Sequence, residues 1–109
     1  MANVFKNKVI ASIGTSADGY TVPASTTSTV IGMTVSNRTA SSIRVDVTVV
    51  DSSEAVTAYI LKDVLIPAGS SIVPVGGDQK IVLETTDELN VLSDTNASAD
   101  VVISMMETA

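Results

Sequence analysis

The chain has 109 residues, six basic and twelve acidic, for a net charge of −6, and it contains neither histidine nor cysteine. Histidine-dependent catalysis, zinc–thiolate centres and disulfides are excluded, and an acidic surface repels nucleic-acid phosphate. This length suits one domain, and with Val, Ile and Thr at 39 positions against three aromatic residues the composition is that of β-strands.

Along the chain, apolar residues alternate with period two in short segments separated by turn residues. The first segment, Met1 to Lys8, carries Lys6 and Lys8 and leads only to Val9, Ile10 and Ala11. That run is too short for a secretory signal, which needs an apolar core of about 7 to 15 residues. No apolar run approaches the roughly 18 residues of a membrane span, so the expectation is a protein made in the cytoplasm without membrane contact. Alternation puts Phe5, Val9, Ala11 and Ile13 on one inward face, with Asn7 among them demanding a bulge or an edge position. Thr29, Ile31, Met33 and Val35 form the next inward row. Then come Ile43, Val45, Val47 and Val49, with Arg44, Asp46 and Thr48 facing out.

Asp51 to Glu54 reads as the turn of a hairpin joining Ile43–Val50 to Ala55–Lys62, where Ala58, Ile60 and Val56 would point inward. A helix over Ser53–Lys62, capped by a serine, competes for the second half. Pro74 places Ile72–Val75 at a sheet edge, since proline cannot donate to a ladder. Gly76 to Lys80 forms a tight turn into the strand Lys80–Glu84; Ile81 with Leu83, Leu89 with Val91, and Val101 with Ile103 and Met105 complete the inward rows. Val22-Pro23-Ala24-Ser25 and Ile66-Pro67-Ala68-Gly69 echo each other, proline closing one strand and presetting the turn into the next. The sum is an all-β domain spanning residues 1–109, an antiparallel sandwich or jelly-roll-like fold of seven or eight short strands.

Chemistry is sparse. The carboxylates at Asp87, Glu88 and Asp94, and at Asp46, Asp51 and Glu54, lack the spacing of a calcium loop and read as solvated turns. Serines have no histidine to activate them, and nothing in the spacing supports a dyad with Lys62 or Lys80; no enzymatic role and no cofactor are expected. Val30, Val50 and Val102 fall on the outward phase of their strands, and Met106 faces opposite Met105. Apolar residues on both phases mean either partner chains or a strand covered on both faces. Phe5, Lys6 and Lys8 are further candidate contacts, if residues 1–8 are a docking arm that adds to a neighbour as a strand or by charge. The competing reading is an ordinary first strand.

The order Tyr59-Ile60-Leu61-Lys62, Ile66-Pro67-Ala68-Gly69, Gln79-Lys80-Ile81-Val82-Leu83 and the closing Ser104-Met105-Met106-Glu107 resembles small β-sandwich proteins of tailed-phage virions. The resemblance runs over residues 20–107 and departs at Thr85-Thr86-Asp87-Glu88, where the family pattern has glycine before aspartate. It implies a virion component, foremost a capsid decoration or cement protein that stabilises the shell by self-association and by contacts with the major capsid protein or other virion proteins. A homo-oligomer is implied, with a trimer among its forms. The alternative is a neck, tail or fibre-associated accessory protein, including a receptor- or glycan-binding module whose only aromatic platforms would be Phe5, Tyr20 and Tyr59.

Overall fold

The computed structural model describes residues 2–109. Nine strands follow one another: β1 (Asn3–Ile13), β2 (Asp18–Thr21), β3 (Thr27–Asn37), β4 (Ile43–Asp51), β5 (Val56–Ile66), β6 (Ser71–Val75), β7 (Ile81–Leu83), β8 (Glu88–Ser93) and β9 (Ala99–Thr108). No helix occurs among the described residues, so the competing helix over Ser53–Lys62 gives way to β5. Asp51 Oδ1 accepts the amides of Ser53 and Glu54, closing a tight turn that ends with Ala55 at φ 54° and sends the chain back along β4.

All pairings are antiparallel: β1 with β9, β2 with β8, β3 with β6, β7 and β9, and β4 with β5 and β8. One sheet has the order β1-β9-β3-β6, with β7 pairing the other end of β3; the second has the order β2-β8-β4-β5. With β6 and β7 taken as one strand interrupted at the Gly76–Gln79 turn, this is the order of a jelly roll. The expected all-β sandwich is therefore present, with nine strands. The unexpected one is β2, whose four residues contain a single large apolar side chain, Tyr20, and so show no alternation.

The two Pro-Ala turns are equivalent in space. Each leads from the four-stranded to the five-stranded sheet, each begins at a fully buried aliphatic residue (Val22, Ile66), and each has its fourth residue in the left-handed region, Ser25 at φ 55° and Gly69 at φ 69°. Between the sheets lies a core of Val, Ile, Leu and Met side chains, with Tyr20 its aromatic member.

Three of the expected phases shift. In β3 a bulge between Val30 and Gly32 turns Ser28 and Val30 inward together with Met33 and Val35, leaving Thr29 and Ile31 only half-buried. The extra residue of a bulge inverts the alternation on one side of it. Val30 is thus fully buried core, and its expected outward placement is corrected. In β5, two register irregularities against β4 bring Leu61 opposite Val47 and Val64 opposite Val45, while Val56 is exposed. In β1, the ladder to β9 sets Phe5 beside Met106 and Val9 beside Val102, on the outer side, with Lys6 and Lys8 on the inner phase. A one-residue change of register exchanges the faces of a strand, and the asparagine at position 7 belongs to the outer row.

Candidate assembly surface

Residues opposite each other in adjacent strands stand side by side on one face. The outer face of the five-stranded sheet can therefore be read in rows: Asn3, Thr108 and Thr27; Phe5, Met106, Thr29 and Val82; Asn7, Ser104 and Gly32; Val9, Val102 and Thr34. No charged side chain stands in these four rows. Phe5 is 74% exposed, Val82 64%, Val9 62% and Val102 45%. The next row toward the far end of the strands brings in Asp100 beside Ser36, with Arg38 Nη1 3.2 Å from Asp100 Oδ1 and 2.6 Å from Ser12 Oγ. An uncharged, β-branched centre with an ionic rim is the anatomy of a contact surface.

The outer face of the second sheet is different in kind. Arg44, Asp46 and Glu88 stand on it, Asp46 Oδ1 accepts the amide of Asp63, and Arg44 donates to the Asp63 carbonyl oxygen. Tyr59 is exposed there, but the Lys62 ammonium lies 4.7 Å from its ring centroid, so a cation already occupies one face of this aromatic group.

β1 borders its sheet and pairs on one side only. From Asn3 to Ile10 its ladder with β9 has no irregularity. Its inner phase is open because β2, the nearest strand of the other sheet, is only four residues long; Lys6 and Lys8 remain in solvent there. Lys6 Nζ reaches Glu107 Oε1 at 3.0 Å, and the buried Tyr20 hydroxyl donates to Glu107 Oε2 at 2.5 Å, joining β1, β9 and β2. Burial, and then the Glu107 bond, push the Tyr20 hydroxyl up to about 12. The Glu107 carboxyl is held below its ordinary 4.5 by the Tyr20 hydroxyl first and Lys6 second.

A carboxyl depressed in the folded state stabilises above its unfolded value and loses that contribution as pH falls through the folded value. Glu107→Gln should therefore cost about 1 to 3 kcal/mol near neutral pH. Denaturation curves across pH 3 to 7 should show wild type losing its advantage over the variant below about pH 4.5. Parallel profiles would remove Glu107 from the acid dependence.

The other carboxylate grouping is Asp51, Glu84 and Asp87, whose oxygens approach within 4.8 Å of one another. Buried Asp87 accepts from the amides of Ser52 and Glu84 at 3.0 and 2.9 Å, and Asp51 Oδ1 accepts the Ser53 hydroxyl as well as the two amides of its turn. These groups close turns at one end of the sandwich, as the solvated-turn reading expects for Asp51; Asp87 differs in being buried. No cleft opens among the described residues.

No family model and no curated protein matches the sequence. Two solved structures are similar in fold. A chain of the cryo-EM structure of the giant freshwater prawn Macrobrachium rosenbergii extra small virus VLP superposes with a TM-score of 0.49 at 9% identity, over 98% of this chain and 79% of that one. A chain of the structure of infectious bursal disease virus, Gx strain, gives 0.43 at 14% identity, over 95% of this chain and 33% of that one. Likeness at this level concerns the sandwich alone, and fold does not carry function.

Of the candidate contacts, Phe5, Val102 and Met106 come together on the uncharged face, with Phe5 and Met106 neighbours in one row. Lys6 and Lys8 line the open inner side of β1. Val50 stands apart on the ionic face, between Thr57 and Glu88. Val9 is a member of the uncharged face that alternation alone misplaces, since it reads as inward; the outward place of Val82 follows from the inward pair Ile81, which packs against the core, and Leu83, which is fully buried. The signal for Val9 was Asn7, a polar residue in its row.

Proposed function

We propose that the chain is one sandwich domain serving as a structural component of a tailed-phage virion, a decoration or cement protein that binds the shell and its own copies. The observation that carries this reading is the uncharged outer face of the β1-β9-β3-β7 sheet, a surface fit for assembly. The resemblance of the Tyr59–Lys62, Ile66–Gly69 and Gln79–Leu83 segments to phage virion sandwiches supplies the setting, and jelly rolls are a common architecture of shell proteins. A building block of this kind needs a stiff fold and matched surfaces, and it gains stability from each neighbour it binds.

Of the expected arm, residues 1–8, Met1 lies outside the described residues; the docking segment is Asn3–Lys8 at the start of β1, with Lys8 facing an acidic partner surface on the major capsid protein, Lys6 beside it held to Glu107, and the free side of β1 offered to a neighbour's strand. Cryo-electron microscopy of particles carrying the chain should place copies at symmetric positions on the shell; density confined to the tail would overturn the cement reading. Deleting residues 2–8, or replacing Lys8 with glutamate, should weaken binding to purified capsids by about tenfold or more, as expected for loss of a charge contact or of strand addition. Undiminished binding by both folded variants would remove the arm from the contact.

A further inference from the structure

The two outer faces of the sandwich are chemically unlike, and that difference restricts how two copies can meet. We infer that the uncharged face of the β1-β9-β3-β7 sheet is covered by the same face of a second copy, in a two-fold, face-to-face sheet packing. This rests on the reading of that face as an assembly surface and names its occupant.

The charge distribution selects a second copy. The chain carries twelve acidic against six basic residues, and the outer face of the other sheet carries Asp46 and Glu88 with Arg44 and Lys62, so two copies meeting there would have to match charges of both signs to avoid opposing like ones. Like charges placed opposite each other are destabilising. The rows built on Phe5, Asn7 and Val9 contain no charge, so two copies can meet there without opposing any. Lys6 and Lys8 stay out of such a contact, because they stand on the other side of β1.

The area is also adequate. Three strands and the interrupted β6–β7 strand, about 4.8 Å apart and each contributing about eight residues at about 3.4 Å, give a face of roughly 500 Å². Two such faces bury on the order of 1,000 Å², the size at which specific interfaces begin. The face contains two features suited to sheet-on-sheet packing at about 10 Å separation. Phe5, the most exposed large apolar side chain, stands at one margin as an anchor, and Gly32, with no atom nearer than 4.0 Å to its would-be Cβ, leaves a shallow place at the middle row. In an isologous contact each anchor meets the partner's surface twice over, once from each copy.

Sedimentation velocity on the purified full chain, from micromolar to millimolar, tests this without any particle. The expected result is a concentration-dependent rise to twice the chain mass. Val102→Glu and Val9→Glu, both on exposed outward positions, should each weaken association at least tenfold with unchanged circular dichroism and melting temperature. Thr57→Glu, on the opposite face, should leave association as in the wild type. A monomer at every concentration, or a dimer indifferent to both face variants, overturns the inference. A trimer broken by Val102→Glu overturns the two-fold form. A chain that stays monomeric yet decorates capsids would sink this inference and leave the virion reading standing.

Discussion

Replacing Asn37 with alanine should lower stability by about 3 to 5 kcal/mol, since each buried group left without its partner costs about 1 to 3 kcal/mol. Asn37 ends β3 and is 2% exposed. Its Nδ2 donates to the carbonyl oxygens of Ser41 at 2.7 Å and Ile66 at 3.0 Å, while its Oδ1 accepts the Thr39 amide at 2.9 Å and the Thr39 hydroxyl at 2.8 Å. One side chain thus holds the β3–β4 turn in shape and ties it to the end of β5 in the other sheet. Alanine abandons all of these groups at once. Asn37→Asp, nearly the same size, should be at least as damaging, because a carboxylate would face the carbonyl oxygens that the amide now satisfies. Urea denaturation followed by circular dichroism measures both, and a loss below about 1 kcal/mol would mean that water can replace the amide. Asn37-Arg38-Thr39 matches the N-glycosylation pattern, and the same burial makes its asparagine inaccessible to modification in the folded chain.

Gly19→Ala should cost about 3 kcal/mol or more, at the upper end for a single substitution. The cause is close approach and not backbone freedom, since Gly19 lies in an ordinary strand facing Asn90. A Cβ built there would overlap the Leu89 carbonyl oxygen and stand 2.8 Å from Asn90 Cα. Both are backbone atoms of a paired strand and cannot move aside, so β2 must lift from β8. Tyr20 would then leave Glu107, which supplies a second readout: ultraviolet titration should show the Tyr20 hydroxyl falling from about 12 toward its ordinary 10.0. An alanine variant with wild-type stability and an unmoved tyrosine titration would show that β2 is not held against β8 as the geometry requires.

Alternation was legible wherever a strand is long and has one face buried. Ile43, Val45 and Val47 lie in the core, as do Leu89 with Val91 and Val101 with Ile103 and Met105, all in the expected phase. The expected edge position of the Pro74 segment also holds, since β6 pairs only with β3. The failures have two causes. In β3 and β5 an irregularity of register moves the inward set, and a bulge carries no fixed residue signature when, as at Val30 to Gly32, the residues around it are all acceptable in a strand. In β1 the exposed apolar residues imitate a core row, because alternation reports that one phase is apolar without reporting which way it points.

The candidate surface was legible in part for the same reasons. Val102 and Met106 follow from β9, whose inner phase is unambiguous, so its outer residues are fixed by difference. Phe5 is a candidate contact by sequence although alternation puts its row inward, and alternation puts Val30 outward although it is fully buried. What the amino-acid sequence determines by itself is composition and period: an antiparallel β fold without histidine or cysteine chemistry, with more apolar surface than one core uses. Only the tertiary structure decided that Phe5 and Val9 join Met106, Val102 and Val82 on a single uncharged face, while Glu107, Tyr20 and Lys6 form a linked group on the other side of the same sheet. Those neighbours come from β1, β7 and β9, which are remote in sequence. Which side of a strand faces water is set by the register it takes against its partner.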